Sequence, residues 1–467
     1  MGYLAPNQLT GGKRKANIIA AETDVAIELQ PGFATDRFRF LHIDLNSFFA
    51  SVEQQLHPEY RNRPVAVVPA LADTTCCIAA SYEAKALGIK TGTQVGEAKR
   101  ICPGIVLIEG NHATYAEYSH KIAAAVERCC PVAHTPSIDE MACELIGREQ
   151  EPPRARQIAL AIKQAIRDDV GETLRCSIGM APNRYLAKIA SDMQKPDGLI
   201  GLLPSQLPRS IAHLELRDLP GVGAKTEVRL NAKGIRTMEQ LLALDRNQMH
   251  ALWDSVWGDR LYHWLRGANT GDDGAPVPNE LQKSLGHSHV LAPEHRSPEG
   301  AWAVAHKLLH KAAMRLRMEK FYAAAMHVAI RYQLTREQAE RIKSQRHFSG
   351  IRHSGWAMEA RFAACQDTLT LLNVLRGAWA KRPDGPEFAR PFFVGVTMQS
   401  LIPESEYQQT LFGDPDNRAE LAATMDKLNL KYGHTTLHFA GMLPARESAP
   451  TRIAFTQIPV QYGVDYM

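Results

Sequence analysis

The chain reads as a multidomain α+β protein, and three observations predict this. Its 467 residues exceed the roughly 250–300 at which a single hydrophobic core stops growing. Between residues 38 and 201, apolar runs of strand length alternate with segments of helical period. A Gly-, Pro- and Asp-rich stretch, "TGDDGAPVPNE" (270–280), then reads as a linker before a second region of strands and helices. Hydrophobic residues make up 45% of the chain, enough to build cores and too many for wholesale disorder.

The elements follow in order. "FRFLHIDL" (38–45) is a buried strand. In "NSFFASVEQQL" the residues Phe48, Phe49, Val52 and Leu56 fall at helical spacing, with Asn46 or Ser47 as the cap. "RPVAVVPA" (63–70) and "TCCIAAS" (75–81) are strands, and "SYEAKALGIKTG" is a short helix ending at Gly88. "ATYAEYSHKIAAAVERCC" repeats Tyr115, Tyr118, Ile122, Val126 and Cys129 at steps of three and four, an amphipathic helix. "HTPSIDEMACELIG" is a hairpin with an acidic turn followed by an alternating strand. A helix, "RARQIALAIKQAIRDDVG", a strand, "RCSIGMA", and a third helix, "PNRYLAKIASDM" with Pro182 in its first turn, complete the region. Strand, helix, hairpin, helix, strand packs as an antiparallel or mixed sheet, with helices expected on one face. Short helices are expected over 206–270, and a second α+β unit over 284–403.

The eight cysteines form no CxxC pair and no zinc spacing with histidine, so they are expected to be reduced core residues of a cytosolic protein. No stretch reaches the ~18 apolar residues of a membrane helix, and no signal peptide is expected. Residues 1–36 read as a frayed polar lead. Net charge is only +4 overall. Over 284–393, however, 17 Lys or Arg stand against 9 Asp or Glu, a net of +8 that leaves the remainder acidic. A domain so much more basic than its parent chain points to a polyanion.

Chemistry concentrates in the acids. Asp44 ends the first strand, and Asp139 and Glu140 sit side by side at the hairpin tip. Neighbouring side chains on a strand point to opposite faces, but at a turn both can converge. Carboxylates in one place repel unless a cation neutralises them. With no Cys or His ligand motif beside them, they favour a hard, oxygen-loving ion such as Mg²⁺. "LPGVGAKTEVRL" (219–230) has the form of a helix–hairpin–helix, in which Gly221 and Gly223 let backbone N–H groups approach a phosphate.

"HIDLNSFFASVE", "SYEAKALGI", "PSIDE", "CSIGMAPNRYLAKIASDMQKPDGL" and "LPGVG" together resemble a Y-family, DinB-like translesion DNA polymerase, over roughly residues 37–412. The resemblance implies a right-hand polymerase. Its ferredoxin-like palm would be 37–52 and 111–205, its fingers 53–110 and its helical thumb 206–270. A linker (271–283), an α+β little finger (284–403) and a C-terminal tail (404–467) would follow. It implies that Asp44, Asp139 and Glu140, with the carbonyl of Leu45, hold two Mg²⁺, for which Mn²⁺ can substitute. Phe48, Phe49, Tyr82, Lys85 and Lys195 would bind the deoxynucleotide, Phe49 as the steric gate that excludes a 2′-hydroxyl. Gly221, Gly223, Lys225 and Arg331 would contact primer–template DNA, with Arg317 and Arg361 as further candidates. "QQTLF" (408–412) resembles a sliding-clamp peptide, with Leu411 and Phe412 as anchors for an apolar pocket on the clamp's β subunit and Gln408 at its rim.

Lys85 stands where the family usually has Arg, and Ala79 where it commonly has a hydroxyl residue; "MACE" replaces the usual sequence after the acidic pair. The implied protein is a monomeric bacterial enzyme of the cytoplasm and nucleoid, away from membranes, that copies past lesions with low fidelity. The alternative is a non-catalytic accessory subunit of a mutagenesis complex. Such relatives lack the acidic ligands, and all three stand here.

Overall fold

The computed structural model describes residues 36–73, 75–270, 283–334, 337, 353–385, 388–408, 417–433 and 436–446. The lead 1–35, the linker stretch 271–282, and Leu411 and Phe412 of the expected clamp peptide lie outside the described residues, as does the chain beyond 446.

A five-stranded sheet carries the acids. β1 (Phe40–Leu45) lies at its centre, flanked by β6 (Glu140–Glu144) and β7 (Cys176–Ala181), with β5 (Val132–Ser137) and β8 (Leu199–Gly201) at the edges. Both neighbours of β1 run antiparallel to it; only the β7–β8 pair is parallel. This order is the ferredoxin-like arrangement the sequence predicts. The helices differ from expectation: they cover both faces. α4 (His112–Glu127) and α5 (Pro152–Asp169) pack with Leu41, Ile43, Met141 and Ile178. α6 (Arg184–Met193) covers the opposite side, where Phe40 and Ala181 meet Leu186, Ile189 and Ala190. Sandwiched in this way, β1 and β7 are buried along their whole length, and β6 is buried on both faces at Met141, Ala142 and Cys143 instead of alternating.

Gly179 makes the second layer possible. A Cβ there would lie 2.0 Å from the carbonyl oxygen of Ala187, so only glycine lets α6 seat this closely on β7. Pro182 precedes the N-cap of α6, Asn183, whose side chain accepts from the Leu186 amide; it lies outside the first turn.

A three-stranded sheet of β2 (Val65–Val68), β3 (Ala79–Ala80) and β4 (Val106–Glu109) follows α1 (Phe48–Leu56) in the chain, with α2 (Tyr82–Ala86) and α3 (Val95–Ile101). "TCCIAAS" yields only the two-residue β3 and a bridge from Cys76 to Gln94. Residues 204–265 are short helices, as expected, among them α7 (Ala224–Ala232), α8 (Met238–Leu242), α9 (Arg246–Trp253) and α10 (Val256–Trp264).

Beyond the linker, a four-stranded sheet in the order β11–β10–β12–β9 is formed by β9 (Ser284–Val290), β10 (Phe321–Gln333), β11 (His353–Cys365) and β12 (Pro391–Pro403). α11 (Pro298–Met318) and α12 (Thr368–Trp379) pack against this sheet in one core. The tail docks here too. α13 (Arg418–Tyr432) brings Asp426 against Arg317, whose guanidinium donates to both carboxylate oxygens at 2.6 and 2.8 Å and to the Gln366 carbonyl. Arg317 is therefore a half-buried structural cation held by Asp426, and not the free phosphate contact its place in a basic domain had suggested. All eight cysteines are free thiols. Among the described residues no helix is long and apolar enough to cross a membrane.

Candidate active site

The register of the central sheet sets the site. Asp44 on β1 pairs directly with Glu140 on β6 and with Ser177 on β7. Cross-strand partners of this kind hold their Cβ atoms about 4.5–5.5 Å apart, so two carboxylates share one sheet end. The Leu45 amide donates to the Asp139 carbonyl at 2.9 Å and ties the hairpin tip to the end of β1.

Two lysines face the acids. Lys195 reaches Asp44 at 2.7 Å and Asp192 at 2.8 Å. Lys188 bonds Glu140 and stands 4.0 Å from Asp44 and 3.8 Å from Asp192. Lys188, Asp192 and Lys195 are spaced i, i+4 and i+7, one face of α6 and its extension. The loop after α6 is fastened to β7 and β1: Ser177 donates to the Gln194 carbonyl at 3.0 Å, and Asn46 accepts from the Asp197 amide at 2.7 Å. Lys163 adds bonds to the Cys176 carbonyl and the Asp197 carboxylate, both 2.7 Å.

Burial sets the electrostatics. It pushes the Asp44 carboxyl up to about 6, against the opposing pull of Lys195. Burial would lower the Lys195 ammonium, but Asp44 and Asp192 outweigh it and hold the group above the usual lysine range. Asp139 is also raised by burial, and its bond from Ser137 opposes the rise.

The three predicted acids are not brought together equally. One oxygen each from Asp44 and Glu140 lies within 4.8 Å of the other and of a ring nitrogen of His42. Asp139 falls outside that group: its carboxylate accepts from the Ser137 hydroxyl at 2.6 Å. The cause is the local geometry, since Glu140 already belongs to β6 while Asp139 is still in the turn.

The sequence reading missed His42 and Lys188. His42 sits two residues before Asp44 and so on the same face of the strand. It is 3% exposed, and its Nε2 has no hydrogen-bond partner.

Of the expected nucleotide residues, Lys195 bonds Asp44, and Tyr82 and Lys85 lie close enough to feel the Asp44 charge. Lys85 donates to the Ser47 hydroxyl at 2.7 Å and lies 4.5 Å from the centre of the Tyr82 ring. Phe49 is buried; its ring stacks on Tyr115 at 4.2 Å between centroids and 13° between planes, and Phe48 lies 5.7 Å away. The Tyr115 hydroxyl donates to the buried Glu53 at 2.6 Å. The sequence showed Tyr115 only as a core position, yet it fixes the tilt of Phe49. A cleft of about 380 Å³ runs beside Tyr82, Asn46 and Pro196, with Arg61 and Arg175 in its wall.

The expected DNA contacts are exposed and scattered. Gly221 adopts φ +87°, and a Cβ would sit 3.4 Å from the Trp257 ring. Gly223 caps α7, and Lys225 follows in its exposed first turn. Arg331 lies on β10 over the Phe393 ring, and Arg361 bonds Glu359 at 3.0 Å. Gln408 is exposed just after Tyr407, which stacks on Tyr322 at 3.6 Å.

Comparison with known proteins agrees with this architecture. Residues 43–192 match the impB/mucB/samB family, 282–411 its C-terminal domain, and 217–269 the DNA polymerase-iota thumb domain. DNA polymerase IV of Moorella thermoacetica is 32% identical over 406 residues, 85% of this chain and 94% of the relative. The chain belongs to the DNA polymerase IV family. It is thereby a Y-family, DNA-directed DNA polymerase. DNA polymerase IV 1 of Bacillus subtilis is 28% identical over 89% of this chain and 96% of its own length. Among solved structures, a Dbh–Dpo4 Y-family polymerase chimera covers 78% of this chain and 99% of its own at TM-score 0.63 and 22% identity. An insertion ternary complex of Dbh DNA polymerase gives TM-score 0.52 at 21% identity, with the same coverage. These structures establish the shared fold.

Proposed function

We propose that the chain is a template-directed, low-fidelity polymerase for translesion synthesis, joining a deoxynucleotide to a primer 3′-hydroxyl with release of pyrophosphate. The observation that carries this reading is the cross-strand pair Asp44–Glu140 with Lys195, Tyr82 and Lys85 beside it. An anionic pair bordered by cations and a hydroxyl matches a metal–triphosphate substrate, whose own charge alternates in the same way.

The donor set fits Mg²⁺, since carboxylate oxygens at a strand end are the ligands that ion takes. Asp44, Glu140 and the Leu45 carbonyl would hold two such ions. Asp139 would join them by exchanging its Ser137 bond for a cation. Bound there, the ions would acidify the primer hydroxyl and offset charge on the triphosphate. The protein's own part is positioning. Tyr82, Lys85 and Lys195 bind the phosphates, and Lys195 exchanges Asp44 for the substrate as it does so. Phe48 and Phe49 lie beneath the sugar. The Phe49 ring, backed by Tyr115 and Glu53, meets a 2′-hydroxyl as a rigid wall.

In this reading 37–52 and 111–205 are the palm, 53–110 the fingers, 206–270 the thumb and 284–403 the little finger. The amides at Gly221 and Gly223, with Lys225 and Arg331, hold duplex phosphates without reading sequence. Gln408, Leu411 and Phe412 join a sliding clamp. Kinship with DNA polymerase IV of Moorella thermoacetica, 32% identical over 85% of this chain, supports primer–template DNA and deoxynucleotides as partners.

The test is primer extension with Mg²⁺ and four deoxynucleotides. Asp139→Ala with Glu140→Ala should abolish extension while primer–template binding persists. Extension at the parent rate would refute the assignment.

A further inference from the structure

We propose that His42 is a nitrogen donor to the cation held by Asp44 and Glu140, giving this site a preference over Mg²⁺ and Ca²⁺ for divalent ions that accept a nitrogen ligand, Mn²⁺ and more strongly Co²⁺, that carboxylates alone do not confer. The inference rests on the metal reading of the Asp44–Glu140 pair and adds a ligand to it.

Strand geometry places the imidazole there. His42 and Asp44 share the face of β1 that looks toward α6, two residues apart. The cross-strand neighbours of His42 are Ala142 and Gly179, neither of which has a polar side chain to occupy the ring. Its Nε2 is buried without a partner. A ring nitrogen, an Asp44 oxygen and a Glu140 oxygen lie within 4.8 Å of one another. The nearby ammonium groups are already committed, Lys195 to Asp44 and Lys188 to Glu140, and an ammonium has no lone pair to offer an imidazole N–H. A neutral imidazole in this setting presents one lone pair. Entry of a cation requires Lys188 to release Glu140 and return to Asp192, 3.8 Å away.

Ligand chemistry then decides the selectivity. Mg²⁺ and Ca²⁺ take oxygen donors and gain little from an imidazole, whereas Mn²⁺ and, more strongly, Co²⁺ accept mixed nitrogen and oxygen sets. The carboxylates fix the site, and the histidine sets which ion it prefers.

Pulsed electron paramagnetic resonance on the full chain with one equivalent of Mn²⁺ reads this directly. The expected result is a ¹⁴N coupling from a bound imidazole in the unaltered protein. It should disappear in His42→Gln and persist in His134→Gln, which replaces a histidine close enough to His42 to interact with it. Titration should show Mn²⁺ binding weakened by about tenfold or more in His42→Gln, with Ca²⁺ affinity within about twofold. Absence of the nitrogen coupling in the unaltered chain overturns the proposal without requiring any variant to fold. Equal Mn²⁺ affinity in His42→Gln overturns it as well, leaving the carboxylate reading intact. If Asp44→Asn with Glu140→Gln binds Mn²⁺ as tightly as the parent, the carboxylate reading itself falls.

Discussion

Replacing Lys188 by Met removes the ammonium that neutralises Glu140 while keeping most of the aliphatic stem. Lys188 bonds Glu140 and lies 4.0 and 3.8 Å from Asp44 and Asp192. A pair of unit charges about 4 Å apart near a protein surface interacts by about 4 kcal/mol. Much of that is returned as desolvation cost, and the side chain is 30% exposed, so the net loss should be about 1–3 kcal/mol. In a unit of 150–250 residues each kcal/mol moves Tm by about 2–4 °C. The variant should therefore melt several degrees lower in EDTA. A divalent ion supplies the missing charge and no longer competes with an ammonium. Mg²⁺ should then stabilise the variant more than the parent; about tenfold tighter binding adds about 1.4 kcal/mol at saturation. Calorimetric melts of both proteins, in EDTA and across a Mg²⁺ titration, give the comparison. Equal stability in EDTA, or an identical gain from Mg²⁺, would refute the argument that Lys188 and the cation serve the same charge.

Three further outcomes follow from the same structure. Phe49→Ala should admit ribonucleotides in single-nucleotide incorporation assays, and should cost about 3–5 kcal/mol because the ring is buried on Tyr115; sugar discrimination unchanged in the folded variant would remove Phe49 from the gate. Deleting 408–412 should leave distributive synthesis intact and abolish stimulation by a sliding clamp, so persistent stimulation would show the peptide is misread. The 284–446 unit should lose stability in acid. Burial, then Lys311 and Arg315, lowers His287 to about 4; burial, then His306, Arg317 and His438, lowers His310 to about 3. The unfolded chain takes up these protons near pH 6.5, so the contribution is complete above that pH and is lost progressively as pH falls through about 4 for His287 and about 3 for His310. His310→Phe, against the Phe439 ring 4.9 Å away, should flatten the decline by about 1–3 kcal/mol at pH 4; an unchanged pH profile would count against it.

The central sheet was legible because its pattern is local: apolar strands, amphipathic helices and a turn between Ser137 and Glu140. Its two-sided covering was not. That depends on Gly179, which reads in sequence as an ordinary glycine in a strand and acts by letting the Ala187 carbonyl approach. Asp44 and Glu140 were visible as charges at strand ends. Asp139 looked equivalent to Glu140, but the turn sends its carboxylate to Ser137. Lys188 and His42 carried signals that could have been used, the i, i+4, i+7 row with Asp192 and Lys195 and the period-two alternation with Asp44. Arg317 misled because a positive charge in a basic domain gives no hint that Asp426, over a hundred residues away, will claim it.

The most direct test is a crystal structure of the full chain with primer–template DNA, a non-hydrolysable deoxynucleotide and Mn²⁺, read by anomalous scattering. An ion peak bridging Asp44 and Glu140, with the triphosphate against Lys195 and Tyr82, is the predicted result. An ordered nucleotide with no ion at that pair, and with Lys188 and Lys195 still bound to the two carboxylates, would contradict it.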